Sequence, residues 1–277
     1  MAEADLICAQ EHPISQADLR DALTQTGIKS GDVVLMHVSM RRVGWVIGGV
    51  QGLLQAVLDH LGTDLDTGGT LVMPAFSSQL SDPGEWQSPP VPPAWVQPIR
   101  DAMPLFDPAL TPTRGMGSVA EALRALPATK RSMHVRDSFM AVGPLAGGLL
   151  ADHPLSGSLG QHSPLGKLYR AKAKVLLLGA GFDSCTAFHL AEDGLPGIAP
   201  VCESYPVARV SGVTQWQTYT QPANFERFFP QIGGELASTC AVRSALGGAA
   251  QVFDMPAGVD FARTWLERAA RAGKLTQ

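Results

Sequence analysis

A chain of 277 residues, 45% of them hydrophobic, is long enough to bury a large core, and its 25 acidic residues against 21 basic ones give a formal net charge of −4. That balance, with a pI near 6.0 and no run of Lys and Arg, excludes a basic nucleic-acid-binding surface and suits a cationic substrate. Four cysteines (Cys8, Cys185, Cys202, Cys240) fit neither a paired-thiol metal site nor a disulfide framework and read as reduced thiols.

The N-terminal stretch 1–16 is acidic where a secretory leader would be basic and then apolar, and no run of about 18 apolar residues occurs, so a soluble, cytoplasmic protein is expected. Ser15 to Asp18, followed by Leu19 and Leu23 and stopped at Gly27, predicts a helix with a capping-box start. A strand at 33–37 then runs into the loop Ser39, Met40, Arg41, Arg42, Val43, Gly44 and, past Gly48 and Gly49, into a helix over 50–61. A glycine turn opening a helix offers backbone N–H groups to an anion, and Arg41 and Arg42 add charge, although an ordinary loop entering a packed helix has the same pattern. Residues 70–74 read as a second strand, completing a βαβ unit.

From 75 to 114 the periodicity dissolves: nine prolines break any regular element, with Trp86 and Trp95 among them. About 40 residues without periodicity suggest a binding loop or lid. Within it Asp82 and Glu85 flank Trp86, a grouping suited to a polar cation, while Asp82-Pro83 taken alone is also an ordinary Asx turn. A short helix over 117–126, a strand at 138–142, helices at 144–152 and from Ser163-Pro164 to 169, a connector over 194–206, a hairpin of 207–210 with 216–219, a helix over 221–229, a strand at 251–254 and a helix over 261–272 complete the pattern. The fold class expected is α/β, an α/β/α layered single domain (1–277) around a mixed, largely buried sheet, with a long Pro-rich insert at 75–114.

The richest chemistry lies between Val175 and Glu192. An apolar run bounded by Gly179 and Gly181 predicts a buried strand, and Asp183-Ser184 reads as the N-cap of a helix to Glu192. On such a helix Cys185, His189 and Glu192 share one face at the carboxyl edge of a sheet, where ligands bind in open α/β folds. An imidazole held by a carboxylate there can act as a general base; a core histidine paired on its own helix gives the same spacing. The remaining histidines outside the motifs do not converge by spacing, so no metal is expected.

Several segments in one order resemble the aminoglycoside 3-N-acetyltransferases, the antibiotic acetyltransferase family distinct from the GNAT superfamily. They are Leu35-Met36-His37-Val38-Ser39, Gly48-Gly49, Gly69 to Pro74, Phe76-Ser77, Ser81-Asp82-Pro83, Phe106-Asp107-Pro108, Thr113-Arg114-Gly115-Met116-Gly117, Arg131-Ser132 and Phe188-His189-Leu190-Ala191-Glu192. The resemblance spans roughly residues 15 to 193. It implies acetyl-CoA as co-substrate, no metal, and acetylation of the 3-amine of a 2-deoxystreptamine aminoglycoside, conferring antibiotic resistance, in a monomer or homodimer.

It further implies that His37, the loop Ser39 to Gly44 and the turn Arg114, Gly115, Met116, Ser118 hold CoA, and that the insert, with Phe76, Asp82, Glu85 and Trp86, forms the antibiotic cleft together with Glu192. His189 corresponds to the catalytic base, with Glu192 and Asp183 as acidic partners. The chain departs from the family pattern at Cys185, where Asn is usual, at His134-Val135 in place of His-Pro, and at 193–196. The last two departures bear on the range of substrates.

A largely protonated amine must lose a proton before it attacks a thioester, and histidine has the pKa for the task. Backbone N–H groups near the glycine loop or the helix start are the expected donors to the tetrahedral oxyanion. Two alternatives stand beside this reading. One is a Cys185, His189, Asp183 triad carrying an acetyl-enzyme and acting on another amine, and the other a non-catalytic protein that binds CoA or a cationic sugar.

Overall fold

The computed structural model describes residues 3–63, 68–239 and 241–275; Cys240 lies outside them. Its strands are β1 (Val33–Val38), β2 (Thr70–Pro74), β3 (Lys130–Arg131), β4 (Phe139–Val142), β5 (Lys174–Leu178), β6 (Val201–Val210), β7 (Val213–Gln221), β8 (Arg243–Ala245) and β9 (Ala250–Asp254). Among the described residues, seven form one sheet in the order β3-β4-β2-β1-β5-β9-β8, and β6 and β7 form a separate hairpin. β1 is parallel to β2 and to β5, with His37 opposite Leu177, and the outer pairs are antiparallel. The sheet is therefore mixed, as expected. Among the described residues no helix is long and apolar enough to cross a membrane.

Period-two alternation assigns each strand residue to a layer. Val34, Met36, Leu71, Met73, Leu176 and Leu178 face one side, under the helices Gln16–Gln25, Gly49–Leu61 and Ser118–Arg124. Leu35, Val72, Phe139, Val175, Leu177 and Phe253 face the other, under Pro164–Arg170, Phe229–Ser238 and Met255–Arg271. The capping box at Ser15 and Asp18 is present.

Several expectations are corrected. The stretch 182–192 is no α-helix but two 3₁₀ segments, Phe182–Ser184 and Thr186–Glu192, interrupted at Cys185 with ψ at 82°. With three residues per turn, residues i and i+3 eclipse, so His189 stacks on Glu192, while Cys185 precedes the segment and borders the same cavity as His189. The hairpin starts at Val201 rather than 207, and Pro206 sits inside β6 beside a register shift. Of the residues expected as a helix over 221–229, Gln221 ends β7, Glu226–Phe228 form a 3₁₀ turn, and the α-helix begins only at Phe229. The edge strands β3 and β8 are too short to show periodicity.

The insert is also more ordered than its prolines imply. Pro93–Ala102 is an α-helix with a proline at its first turn and Pro98 inside it. It packs on the β6/β7 hairpin through a cluster of Leu80, Met103, Val135 and Tyr205 with Trp86, Ile99 and Trp216 around it. Arg131 fastens both ends of the insert: its guanidinium donates to Ala75 O at 2.6 Å and Thr111 O at 2.5 Å, and Nε to Ser138 Oγ.

Two glycines bring elements together near the carboxyl edge of β5. At Gly179, φ is +65° and an added Cβ would stand 2.5 Å from Ser39 O and 2.7 Å from Val43 N, so only glycine lets the two loops meet. At Gly233 an added Cβ would stand 1.9 Å from the ring of Phe182. Gly233→Ala is therefore expected to lower stability by about 1 to 3 kcal/mol from overpacking, against the roughly 1 kcal/mol gain that helix propensity alone would give. Urea unfolding checks this, and a higher midpoint would refute it.

Candidate active site

A cavity of about 280 Å³ opens at the carboxyl ends of β1, β2 and β5, the edge where a strand order reverses and ligands enter open α/β sheets. His37, Ser39 and Pro74 line it from the strands, Phe76, Gly115 and Met116 from one rim, and Asp183, Ser184, His189, Glu226 and Phe229 from the other. A second hollow, about 30 Å³, lies beyond His189 and Glu192 and is walled by Arg136, Asp137, Ser158, Glu203, Gln221 and Asn224. His189 belongs to the wall of both.

The side chains of His189 and Glu192 are almost wholly enclosed, and Nδ1 lies 2.7 Å from Glu192 Oε2. The other carboxylate oxygen accepts the backbone N–H of Phe225 at 2.5 Å, and the ring meets Phe229 edge-on with centroids 4.9 Å apart. These contacts fix the ring's rotation and make Nδ1–H the supported tautomer, leaving Nε2 with a lone pair. Glu226 Oε2 stands 3.9 Å from that Nε2. Burial disfavours the imidazolium, but the charge of Glu192, its hydrogen bond and the charge of Glu226 outweigh burial and raise the His189 pKa above its ordinary value.

The second hollow is acidic. Asp137 is buried between Arg136 Nε at 3.0 Å and the Ser158 hydroxyl at 2.6 Å, and Arg136 also pairs with Glu203, whose other oxygen takes the Tyr205 hydroxyl. Burial would raise Asp137, yet Arg136 holds its carboxyl below the usual range. His134 Nδ1 accepts the backbone N–H groups of Arg136 and Asp137, so the His134-Val135 departure lies directly behind this wall. The departure at 193–196 does not: Asp193 Oδ2 accepts Gln161 N–H at 2.9 Å, Leu195 is buried, and neither lines a cavity.

A family model for aminoglycoside 3-N-acetyltransferase matches residues 35–267. The chain belongs to the aminoglycoside 3-N-acetyltransferase family. A prophage-derived aminoglycoside N(3')-acetyltransferase-like protein of Bacillus subtilis, YokD, is 40% identical over 91% of this chain and 92% of its own. The crystal structure of YokD superposes with a TM-score of 0.90 over 97% of this chain and 98% of that one. Aminoglycoside N(3)-acetyltransferase VIII of Streptomyces fradiae is 38% identical over 79% of this chain and 75% of its own. A structure described as AAC-IIIb binary with CoASH is 31% identical, with a TM-score of 0.77 over 93% of this chain and 97% of that one.

In this acetyltransferase the residues expected to hold the donor gather on one side. His37, Ser39, Gly115 and Met116 line the larger cavity; Arg41 and Arg42 are exposed on the short helix Met40–Val43, capped at Gly44; Arg114 stacks on Trp86 with its guanidinium 6.0 Å from the ring centre; and Ser118 starts its helix. The acidic residues divide. Asp183 is exposed at the rim, and among the described residues the carboxylate hydrogen-bonded to the His189 ring is that of Glu192. Asp82 caps the turn Pro83–Glu85 through Gly84 N–H at 3.0 Å and pairs with Arg100 at 3.3 Å, so its carboxylate is spent inside the insert. Glu85 is exposed, and partial desolvation with Asp82 and Glu203 nearby raises its pKa.

Sequence reasoning missed Glu226, Asp137, Arg136, Ser158, Glu203 and Gln221. They come from four separated segments with no shared motif, so only the fold assembles them. Asn224-Phe225-Glu226 carried one usable signal, an Asx turn: Asn224 Oδ1 accepts Glu226 N–H at 2.8 Å.

The geometry gives two expected outcomes. Glu192→Gln removes the charge that outweighs burial, so the His189 pKa should fall and the acid limb of kcat/KM should move to lower pH; a pH-rate profile with NMR titration of His189 checks the direction. Cys185 is fully buried, and burial pushes its thiol up to about 12. At pH 8 roughly one such thiol in 10⁴ is ionised, so iodoacetamide should label Cys8 and Cys202, which are exposed, and spare Cys185 in peptide maps.

Proposed function

We propose that this enzyme transfers the acetyl group of acetyl-CoA to the 3-amino group of a 2-deoxystreptamine aminoglycoside, with His189 as general base held by Glu192. The observation that carries the reading is His189 in the wall between two unlike spaces. One is the sheet-edge cavity, lined by His37, Ser39 and Met116 with Asp183 and Glu226; the other is bordered by Asp137, Glu192 and Glu203 with Arg136 among them. The first has room for the thioester end of acetyl-CoA, and the carboxylates of the second can face an ammonium group of an aminoglycoside lying over it.

In this reading the acceptor ammonium first releases one proton to solvent, His189 Nε2 takes a second proton from the amine nitrogen as it attacks, and Glu192 stabilises the imidazolium that forms. The amine nitrogen bonds to the thioester carbon, the tetrahedral adduct collapses, the C–S bond breaks, and the proton held by His189 goes to the leaving thiolate. The insert reaches both sides: Phe76 lines the larger cavity, and Glu85 senses the charge of Glu203, which borders the smaller one. A Cys185 acetyl-enzyme is the weaker reading: the residue borders the same cavity as His189, but its thiol is buried and pushed up to about 12, so it is held as the neutral thiol.

Release of free CoA thiol that depends on an added aminoglycoside tests turnover and separates an enzyme from a binding protein, and NMR of the product locates the acetylated nitrogen. His189→Ala should lower kcat by about a hundredfold or more, the usual range for a positioned base, with acetyl-CoA affinity near wild type. Glu85→Gln should raise the aminoglycoside KM by up to about tenfold and leave the acetyl-CoA KM unchanged. Asp82→Asn should lower the melting temperature instead, because it breaks the insert's own ion pair.

A further inference from the structure

β1 is apolar from Val33 to Met36 and then carries His37. Strand alternation puts the His37 ring on the Leu35 face, the face covered by His189, and the ladder sets it opposite Leu177. The side chain is 7% exposed and forms part of the wall of the larger cavity, yet its buried Nε2 has no hydrogen-bond partner. A buried polar atom without a partner is a standing cost that a leucine at this position would avoid. The larger cavity is also where the thioester lies in the proposed reaction, on which the following step rests.

We infer that the Nε2–H of His37 donates to the acetyl carbonyl of the bound thioester and holds the negative charge that develops on its oxygen during amine attack. As the C–N bond forms, the carbonyl π pair moves onto oxygen and lies against this N–H. As the C–S bond breaks, the pair returns to re-form the carbonyl, and no proton leaves His37 at any stage. Burial and the charge of His189 keep the His37 pKa down at about 3, so the ring is a neutral donor at working pH and stays neutral when His189 takes up the amine's proton. A neutral imidazole used as an electrophile in this way is known chemistry, and a donor shielded from water loses nothing to solvent.

The test compares His37→Leu, His37→Gln and His37→Asn. The amide nitrogen of Gln can occupy the place of Nε2, and that of Asn only the place of Nδ1. His37→Leu should lower kcat by about 10² to 10³-fold, the usual loss for one oxyanion donor, with the acetyl-CoA KM changed less than about threefold. His37→Gln should recover at least about tenfold of the loss and His37→Asn should not. The melting temperature of His37→Leu should hold or rise, because the unpartnered polar atom is gone, whereas a purely structural histidine would lower it. Infrared spectra of ¹³C-labelled acetyl-CoA bound without acceptor supply a second reading: the carbonyl band should lie lower on wild type than on His37→Leu.

Full activity in His37→Leu, equal rescue by Asn and Gln, or the same band position in both proteins overturns the inference. A band shift without aminoglycoside acetylation supports it and refutes only the assigned acceptor. Failure of wild type to bind acetyl-CoA overturns both.

Discussion

The hydrogen bond between His189 Nδ1 and Glu192 is the constraint on which the site depends. Burying a carboxylate and an imidazole is costly, and the pair persists only where both partners stay matched. Here every demand is met from the fold: Glu192 spends one oxygen on His189 and the other on Phe225 N–H, while Phe229 closes the ring's flank. Losing Glu192 would leave a buried imidazole with only the more distant charge of Glu226, so orientation and protonation would change together. The hydrogen bond from Phe225 N–H to Glu192 couples the 3₁₀ segment to the loop 222–226, which carries Glu226 to the open side of the ring.

The sheet supplies the platform for that bond. Parallel β1, β2 and β5 end at one edge, and the antiparallel β9 turns there so that Ala249 O accepts Gly179 N–H. The chain after β5 must therefore leave the edge abruptly, and Gly179 permits this by accepting a left-handed φ beside Ser39. The result places His37 and His189 around one cavity, although 152 positions of sequence separate them. Their roles differ because their partners differ: a carboxylate faces one ring and none bonds the other, so burial raises no base at His37 but leaves a neutral ring.

Charge is divided across the site in a way that composition conceals. A net charge of −4 over 277 residues gives only a weak bias, yet Asp137, Glu192, Glu203 and Glu226 gather near His189 while Arg41 and Arg42 are exposed on the short helix Met40–Val43. Arg136 lies among the carboxylates and holds two of them in place, so the acidic wall is built from paired groups and not from loose surface charge. Within the insert Asp82 follows the same logic, its charge absorbed by Arg100.

Much of this protein was legible from local pattern. Apolar runs of strand length, the capping box at Ser15, the βαβ unit and the adjacency of His189 to Glu192 depend on neighbours in the chain, and those interactions survive as read. The resemblance carried the family and the grouping of His37, Ser39 and Met116 around one space. What failed locally did so for nameable reasons. Three-residue periodicity at 186–192 does not distinguish an α-helix from a 3₁₀ segment, because i,i+3 pairs occur in both, and the break at Cys185 is visible only in the backbone. Prolines at 92, 93 and 98 hid a helix whose stability comes from packing on Trp216 and its neighbours. Only the tertiary structure decided which carboxylates reach His189, since Asp183, six positions away, turns outward while Glu226, 37 positions away, turns in. Backbone hydrogen bonds between neighbouring residues are set by local sequence, whereas the partner of a buried charge is set by whatever the folded chain brings within a few ångströms of it.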